Sequence, residues 1–307
     1  MRILNLIMFL LECSAFQLNN LPPINSYKKV FDNNEIVKVY EPGNINKENM
    51  DAIIFYTGAN SLIPGDIYSE FIKSLNRYNF SVSVVTNDNS ATKELLYDIR
   101  NEYKNVIPVS HSSGYVTAVD TINSQKNIKK AIFLDPVDNR NLLDFNPLKF
   151  MDNNNNNNNK FNYVENILIL NAEKSYKWSV FPKLEIPFIA GFALDTKIIE
   201  KNNPDLVLDK INADEYGHSD ILDNLWSDLM HGTLSKGHDD RSSNNLAEYH
   251  NWLAEQIYVF VNKNTVNSEK LSSTSIDLSS PIELSTPIDY EEVRPDYFNV
   301  DSEKYLN

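Results

Sequence analysis

The sequence VSHSSG at residues 109–114 contains a serine, Ser112, whose neighbours suit a nucleophile. An apolar run precedes it and residues 115–122 have the pattern of a helix, so Ser112 is expected on a strand-to-helix turn. A serine on such a turn has a strained backbone and an exposed hydroxyl, and the turn needs small residues two positions before and after it. Ser110 and Gly114 meet this requirement. The pattern predicts a nucleophile elbow in which a serine stands at the usual first glycine.

An acidic residue and a histidine follow Ser112 in loops of their own. Residues 129–134 have the pattern of a short apolar strand that ends at Asp135, and His218 follows a glycine in a loop that opens a helix. In the α/β-hydrolase fold the triad runs along the chain as serine, acid and histidine. The same order here makes Ser112 the candidate nucleophile, Asp135 the candidate acid and His218 the candidate base.

Each of these residues also has a purely structural interpretation. Ser112 could form a turn, Asp135 before proline could cap one, and His218 could begin a helix. Three of the eight glycines in the chain fall in the three functional loops: Gly58, Gly114 and Gly217. This coincidence of loops and chain order favours the catalytic interpretation.

Other acids near these loops leave alternatives open. Asp138 is the second candidate for the acid of the triad. Glu173 follows the next strand, but the position where many hydrolases carry the aspartate of that strand is Ser175. Asp220 and Asp223 could be first-turn acids that suit the dipole of a following helix.

Three segments resemble the chlorophyllase branch of the α/β-hydrolases, which includes plant chlorophyllases and chlorophyllase-like hydrolases elsewhere. They are the elbow, LDPVD at 134–138 and EYGHSDILD at 215–223. In that family the matching serine, the aspartate that opens DPVD and the histidine of YGH form the triad. The resemblance therefore also points to Ser112, Asp135 and His218.

The resemblance covers roughly Tyr27 to Asn262 and departs from the family pattern at the elbow. Ser110 stands for the usual glycine, and Ser113-Gly114-Tyr115 stand where the family usually has a basic or polar residue followed by two glycines. What the resemblance implies is hydrolysis of an ester with a bulky apolar portion. The departures bear on substrate preference more than on the chemistry.

Two backbone amides are candidates for the oxyanion hole. The apolar strand 51–56 runs into the loop 57–60, where hydrolases keep one such donor, and Ala59 N–H is the candidate there. The second is the N–H of Ser113, because the helix after the nucleophile begins there and its amides and dipole favour developing negative charge.

The other core segments alternate between strand and helix patterns. Strands are predicted at 80–86 and 166–170, and helices at 67–75, 95–103 and 252–261. The alternation predicts the α/β class, with an α/β-hydrolase fold whose mostly parallel central sheet is flanked by helices. Pro108 is an objection to the register of the strand before the elbow, because proline fits poorly in a central strand.

The histidines outside the triad favour no metal site. His231 and His238 lie in a polar stretch with two aspartates but lack a tight ligand spacing such as HExxH, so a solvated loop is expected. His111 is expected to pack or to line the pocket rather than to act as the base. The predicted chemistry needs neither a metal nor an organic cofactor.

The first fifteen residues bear on the compartment. Arg2 precedes an apolar stretch at 3–11 and small residues at 13–15, which is typical of a secretory signal at 1–15; a buried N-terminal helix is the alternative. Cleavage after Ala15 would remove the single cysteine and exclude disulfides and thiol catalysis. A secreted or lumenal protein is therefore predicted, with a glycosylation sequon at 79–81.

Composition and charge bound the rest of the chain. Residues 16–264 are predicted to form one hydrolase domain, with an asparagine-rich surface insertion near 139–163 and a disordered acidic Ser/Thr/Pro-rich tail at 265–307. A net charge of −14 argues against nucleic acid and anionic membrane surfaces as partners. The apolar N-terminal stretch is too short to span a bilayer, so no stable membrane insertion is expected.

The sequence as a whole predicts a serine hydrolase that cleaves a small hydrophobic carboxylic ester through an acyl-enzyme. Residues 176–181 are rich in aromatic side chains and could line the substrate site or belong to the core. The altered elbow leaves open a second hypothesis, a hydrolase-fold binding module that no longer catalyses. The number of subunits is also left open.

Overall fold

A computed structural model describes residues 25–30, 36–42, 46–61, 63–85, 89–138, 160–174, 179–181, 186–187, 194, 196–231 and 243–263. Several predicted features lie outside these residues: the signal at 1–15, the asparagine run at 153–159, residues 175–178, His238 and the tail at 265–307. For these features the sequence predictions stand as predictions.

Strands and helices alternate through most of this part of the chain. The strands are β1 (Asn25–Val30), β2 (Ile36–Glu41), β3 (Asp51–Tyr56), β4 (Phe80–Val85), β5 (Asn105–His111), β6 (Lys130–Leu134), β7 (Asn166–Ala172), β8 (Ser179–Phe181), β9 (Ile186–Pro187) and β10 (Val207–Ala213). The helices are α1 (Gly58–Ser61), α2 (Ser69–Arg77), α3 (Asn89–Glu102), α4 (Gly114–Ser124), α5 (Thr196–Asn202), α6 (Asn224–Met230) and α7 (Ser243–Asn262). None of these helices combines the length and the apolar character that crossing a membrane requires.

Eight of the strands form one sheet in the order β1-β2-β4-β3-β5-β6-β7-β10. β2 pairs antiparallel with β1 and with β4, whereas the other neighbouring strands pair in parallel. This order, with one antiparallel strand next to the edge, is that of the α/β-hydrolase fold, so the predicted fold class is confirmed. β8 and β9 form a separate antiparallel pair.

The core lies on both faces of the sheet, and β3 and β4 are buried along their whole length. On one face α2 and α7 contribute side chains such as Phe71 and Leu253, and on the other α3 and α4 contribute side chains such as Leu95 and Ile122. Burial on both faces explains why β3 is a nearly continuous apolar run. In β4 the serines Ser81 and Ser83, which alternate with apolar residues, are buried as well. Because β3, β5, β6 and β10 are parallel, the loops that follow them all leave the same edge of the sheet.

Pro108 lies within β5, the strand that leads to the elbow. Its Cα partner in β3 is Ile54, whereas the pairing of β5 with β6 begins one residue later, at Val109. The proline therefore precedes the β5–β6 ladder, where a missing N–H would remove a hydrogen bond. The strand forms in spite of the proline, and the objection raised by the sequence does not hold.

The asparagine of the sequon, Asn79, lies in the turn between α2 and β4. It is exposed, and its φ of 63° is in the left-handed region, which asparagine tolerates better than most residues. The sequon therefore begins on the surface, just before the buried strand that follows.

Candidate active site

Ser112 forms the turn between β5 and α4. Its φ of 54° is in the left-handed region, a strain of about 1–3 kcal/mol that a residue other than glycine bears only where its surroundings impose it. Here the surroundings are backbone hydrogen bonds. The N–H of Ser112 donates to the carbonyl of Leu134 at 3.1 Å, and the carbonyl of Ser112 accepts from Val137 N–H at 3.1 Å. The strained strand-to-helix turn predicted from the sequence is therefore present, with Ser112 partly exposed.

The two small residues of the elbow meet different constraints. A Cβ added to Gly114 would lie 2.3 Å from the carbonyl oxygen of Thr57 and 2.5 Å from that of Tyr56. Only glycine fits there, because both obstacles are backbone atoms. Ser110 is fully buried, and its Oγ has no hydrogen-bond partner among the described residues. A serine thus fits in place of the usual glycine.

Gly114→Ala is expected to lower the free energy of unfolding by about 1–3 kcal/mol, because the new methyl group must displace the end of β3. Ser110→Ala is the matched control. It removes a buried hydroxyl without a partner and should leave the free energy of unfolding unchanged or raise it. Urea unfolding of the two variants beside the wild type measures both effects. Equal losses in the two variants would contradict the crowding at Gly114.

The structure brings the three predicted triad residues together at the carboxyl edge of the sheet. His218 Nε2 lies 2.8 Å from Ser112 Oγ, and His218 Nδ1 is in hydrogen-bond contact with Asp135 Oδ2. The carboxylate on Nδ1 thus comes from Asp135, and not from the alternatives Asp138 and Glu173. Since Nδ1–H donates to the carboxylate, Nε2 is the nitrogen that accepts from the serine hydroxyl.

The carboxylate of Asp135 is held in place by the neighbouring strand. Asp135 is 4% exposed, its N–H donates to the carbonyl of Leu170 at 2.7 Å, and its Oδ1 accepts from Ala172 N–H at 3.2 Å. One carboxylate oxygen is therefore fixed by β7 while the other faces His218. A buried, oriented carboxylate is what a triad requires to hold one tautomer of the histidine.

Asp220 closes the loop that carries His218. It is fully buried and accepts from Gly217 N–H at 2.9 Å and from the Ser227 hydroxyl at 3.0 Å. The alternative interpretation of Asp220 as a first-turn acid is wrong, because α6 begins only at Asn224. Its role is to tie the loop to that helix.

Asp223 links the same loop to a second helix. It is the N-cap residue of α6, but its carboxylate accepts from Ser69 N–H at 3.2 Å, Ser69 Oγ at 2.5 Å and Glu70 N–H at 2.9 Å, at the beginning of α2. Burial raises the pKa of this carboxyl to about 6, although those hydrogen bonds lower it. The acid therefore caps α2 rather than its own helix.

His250 of α7 is buried behind the loop, and its Nε2–H donates to the carbonyl of Asp220 at 3.0 Å. Burial lowers the pKa of this imidazole to about 4. Because the unfolded value is about 6.5, the unfolded chain binds a proton that the folded chain does not between pH 6.5 and 4. The stability that neutral His250 contributes is therefore complete above pH 6.5 and is lost as the pH falls to 4.

His250→Gln keeps a donor for the Asp220 carbonyl but does not titrate in this range. Relative to this variant, the wild type should lose about 1.4 kcal/mol of unfolding free energy per pH unit below 6.5. Urea unfolding of both proteins at pH 7.5, 6.0 and 5.0 measures the difference. Parallel pH dependences would show that His250 is protonated in the folded state as readily as in the unfolded one.

Sequence reasoning missed Tyr68 as a part of the site. Its hydroxyl lies 3.0 Å from Gly58 N and 2.9 Å from His111 Nδ1, and the ring of His111 packs against that of His218 with centroids 4.8 Å apart. No local signal marks this tyrosine, because an aromatic residue in an apolar helical stretch is typical of core. Only the fold brings it beside the elbow.

The two predicted oxyanion donors lie on adjoining turns. The predicted loop after β3 is the short helix α1, in which Ala59 has a φ of 51°, and Ser113 is the N-cap residue of α4. The close approach of Gly114 to Thr57 brings these turns together. Gly58 N–H already donates to the Tyr68 hydroxyl. The next amide along this turn is that of Ala59, the predicted donor.

A metal site was the alternative interpretation of the histidines near the end of α6. Among the described residues, no group of three or more His, Cys, Asp or Glu side chains could hold a metal ion. His231 is the C-cap residue of α6, and its predicted companion His238 lies outside the described residues.

This chain is similar in structure to proteins of known three-dimensional structure. No protein-family model matches the sequence, and no curated protein matches it. A thermophilic esterase from the Planctomycetes species Thermogutta terrifontis, Est2 with butyrate bound, is 13% identical, with 80% of this chain and 98% of that one covered and a TM-score of 0.46. The esterase 2 of Thermogutta terrifontis phosphonylated by sarin is 12% identical, with 78% and 97% covered and a TM-score of 0.47.

At this identity and TM-score the likeness adds nothing to the case for an activity. The strand order and the elbow define the class: this chain has the α/β-hydrolase fold. The chlorophyllase branch stays a prediction from the sequence motifs.

Proposed function

We propose that this protein is a serine hydrolase that cleaves a carboxylic ester. One observation carries the proposal: Ser112 Oγ, the His218 ring and the Asp135 carboxylate form one continuous hydrogen-bonded series, with the serine on a strained elbow. A turn or a helix cap would not require all three contacts at once. Series of this kind recur on unrelated folds that share nucleophilic catalysis.

In the proposed reaction Ser112 Oγ attacks the ester carbonyl carbon while His218 Nε2 takes the hydroxyl proton. Asp135 stabilises the imidazolium that forms and holds its Nδ1–H. Collapse of the tetrahedral intermediate breaks the bond to the alcohol, which leaves with the proton from Nε2. A water then attacks the acyl-enzyme and gives a proton to His218 Nε2. Collapse of the second tetrahedral intermediate breaks the bond to Ser112 Oγ, which takes this proton from Nε2 as the acid is released.

The negative charge on the carbonyl oxygen is proposed to be stabilised by the N–H groups of Ala59 and Ser113. Ser113 is buried at the beginning of α4, where the helix dipole favours an anion. The positive φ of Ala59 and the tight contact at Gly114 fix the turn that carries the other amide. This reaction needs no metal and no organic cofactor.

We propose that the ester has a bulky hydrophobic portion. Two leucines on one face of α6, Leu225 and Leu229, are 50% and 43% exposed although the helix directly follows the loop of His218. Large apolar side chains that face solvent on the helix following this loop favour contact with an apolar substrate. The resemblance to chlorophyllases supports the same substrate class.

The test is a series of p-nitrophenyl esters with acetyl, butyryl and octanoyl groups. We expect kcat/KM to rise at least about tenfold from acetate to octanoate, because each buried methylene contributes about 0.8 kcal/mol. Leu225→Ser combined with Leu229→Ser should reduce this rise. Val259→Ser is the matched control, since Val259 on α7 is 55% exposed.

The outcomes separate the parts of the proposal. A preference for acetate would overturn the hydrophobic substrate and leave the serine hydrolase. No turnover of any ester by the wild type would favour the alternative, a hydrolase-fold binding module without catalysis.

A further inference from the structure

We propose that His111 and Tyr68 are positioning residues that join the oxyanion turn to the loop of the catalytic histidine. The inference rests on the proposed function and adds residues to it. His111 precedes the nucleophile in the chain, and Tyr68 lies in a 3-10 helix just before α2. Neither is a member of the triad, yet together they contact two of the loops that build the site.

The contacts form a single directed series. His111 Nε2 lies 3.0 Å from the backbone carbonyl oxygen of His218. A carbonyl only accepts, so Nε2 carries the proton and the neutral ring leaves Nδ1 as an acceptor. Nδ1 then accepts from the Tyr68 hydroxyl at 2.9 Å, and the same hydroxyl accepts from Gly58 N–H at 3.0 Å. Each donor and each acceptor in the series has one partner, which fixes the tautomer of His111.

The series is shielded from water. Tyr68 is fully buried and His111 is 3% exposed. Burial, and next the charge of His218, lower the pKa of His111 to about 3, so the ring stays neutral above that pH. A neutral ring does not compete for the serine proton and does not repel the imidazolium that His218 becomes. His111 is therefore suited to hold a position and unsuited to act as a second base.

The series of hydrogen bonds fixes a backbone group at each of its two ends. At one end it holds the backbone carbonyl of His218, the residue whose imidazole contacts Ser112. The other end holds the amide of Gly58, which precedes the proposed oxyanion donor Ala59. A displacement of about 1 Å at reacting groups lowers a rate by about 100-fold. Loss of the hydrogen bond at either end of the series should therefore lower kcat strongly and change the affinity for the substrate little.

The test compares variants that remove one link at a time. Tyr68→Phe keeps the ring and removes both bonds of the hydroxyl, and His111→Phe removes both bonds of the imidazole. We expect each to lower kcat for p-nitrophenyl butyrate about 10- to 100-fold with little change in KM. His111→Gln keeps a donor near the His218 carbonyl and should recover most of the loss.

The double variant Tyr68→Phe with His111→Phe tests whether the residues act as one unit. If they do, its kcat is no lower than that of the worse single variant, because the second substitution removes a link that the first has already broken. Multiplying losses would show two independent packing effects and would overturn the proposal.

Tyr103→Phe is the control for the loss of a buried, hydrogen-bonded tyrosine elsewhere. The Tyr103 hydroxyl donates to Glu41 Oε1 at 2.7 Å, and its ring belongs to the opposite core. This variant should lower the melting temperature and keep the wild-type kcat. If Tyr68→Phe and His111→Phe behave like it, with lower melting temperature and unchanged kcat, both residues are structural and the positioning role is wrong.

Failure of the underlying function looks different. A wild type that hydrolyses no ester overturns the function and the positioning role together. A wild type that hydrolyses esters beside variants with unchanged kcat overturns the positioning role alone. If His111→Phe loses as much activity as His218→Ala and His111→Gln restores none of it, His111 transfers protons and the positioning role is overturned as well.

Discussion

Ser112→Ala is expected to abolish ester hydrolysis while leaving the fold intact. In the proposed reaction the hydroxyl oxygen is the atom that attacks the substrate, so the loss in kcat should be about 10⁶-fold. Turnover of p-nitrophenyl butyrate and the circular dichroism spectrum of the variant measure the two parts of the prediction.

Ser110→Ala is the matched control for this loss, because it removes a second hydroxyl from the same elbow. Its Oγ is buried without a partner among the described residues and lies outside the triad, so activity should stay at the wild-type level. If Ser112→Ala retains near wild-type turnover, Ser112 is not the nucleophile.

Asp135→Asn is expected to lower kcat by about 10⁴-fold. The Asn oxygen can still accept from Ala172 N–H, as Oδ1 of Asp135 does, so the fold should persist. The amide group, however, can present N–H to His218 Nδ1, which favours the tautomer that carries the proton on Nε2. Nε2 can then no longer accept the proton of Ser112.

Two further acids serve as controls for Asp135. Asp138→Asn and Glu173→Gln remove the other candidate carboxylates after β6 and β7 and should change kcat little. Steady-state kinetics of the three variants ranks the acids directly. A large loss at Glu173 with little at Asp135 would move the acid to the later strand, and a large loss at Asp138 alone would assign it there.

The elbow and the three triad candidates could be found from the sequence because their signals are local. Asp51–Tyr56 is the same strand in the sequence and in the structure, since burial on both faces makes it a continuous apolar run. Ser112 and Asp135 directly follow buried strands, and His218 follows a glycine in a loop. Chain order was therefore enough to predict that these side chains would meet at one edge.

Other parts of the fold carry no local signal. β1 and β2 lie at the antiparallel edge of the sheet, where Lys28, Lys29 and Lys38 interrupt the apolar pattern, and they were not predicted. The last helix begins at Ser243 rather than at the predicted Trp252. Its first turns were missed because most of their residues are polar, although Leu246 and Tyr249 among them are buried. Such segments are fixed by pairing and packing rather than by their own pattern.

The contacts between loops were out of reach for the same reason. Asp223 caps α2 from a position more than 150 residues away in the chain, and Tyr68 contacts His111, which lies 43 residues further along. Neither spacing has a sequence signature. The types of residue at a site can be predicted from the chain, but the partners that hold them are a property of the fold.

The central claim is that Ser112 is an activated nucleophile, and covalent labelling with a fluorophosphonate tests it most directly. The wild type should take up one equivalent, and fragmentation of the tryptic peptide 105–126 should locate the adduct on Ser112. Heat-denatured protein and the Ser112→Ala and His218→Ala variants should take up none, because labelling requires both the serine and the base that activates it. Absence of an adduct on the native wild type, or an adduct on any other residue, would contradict the account.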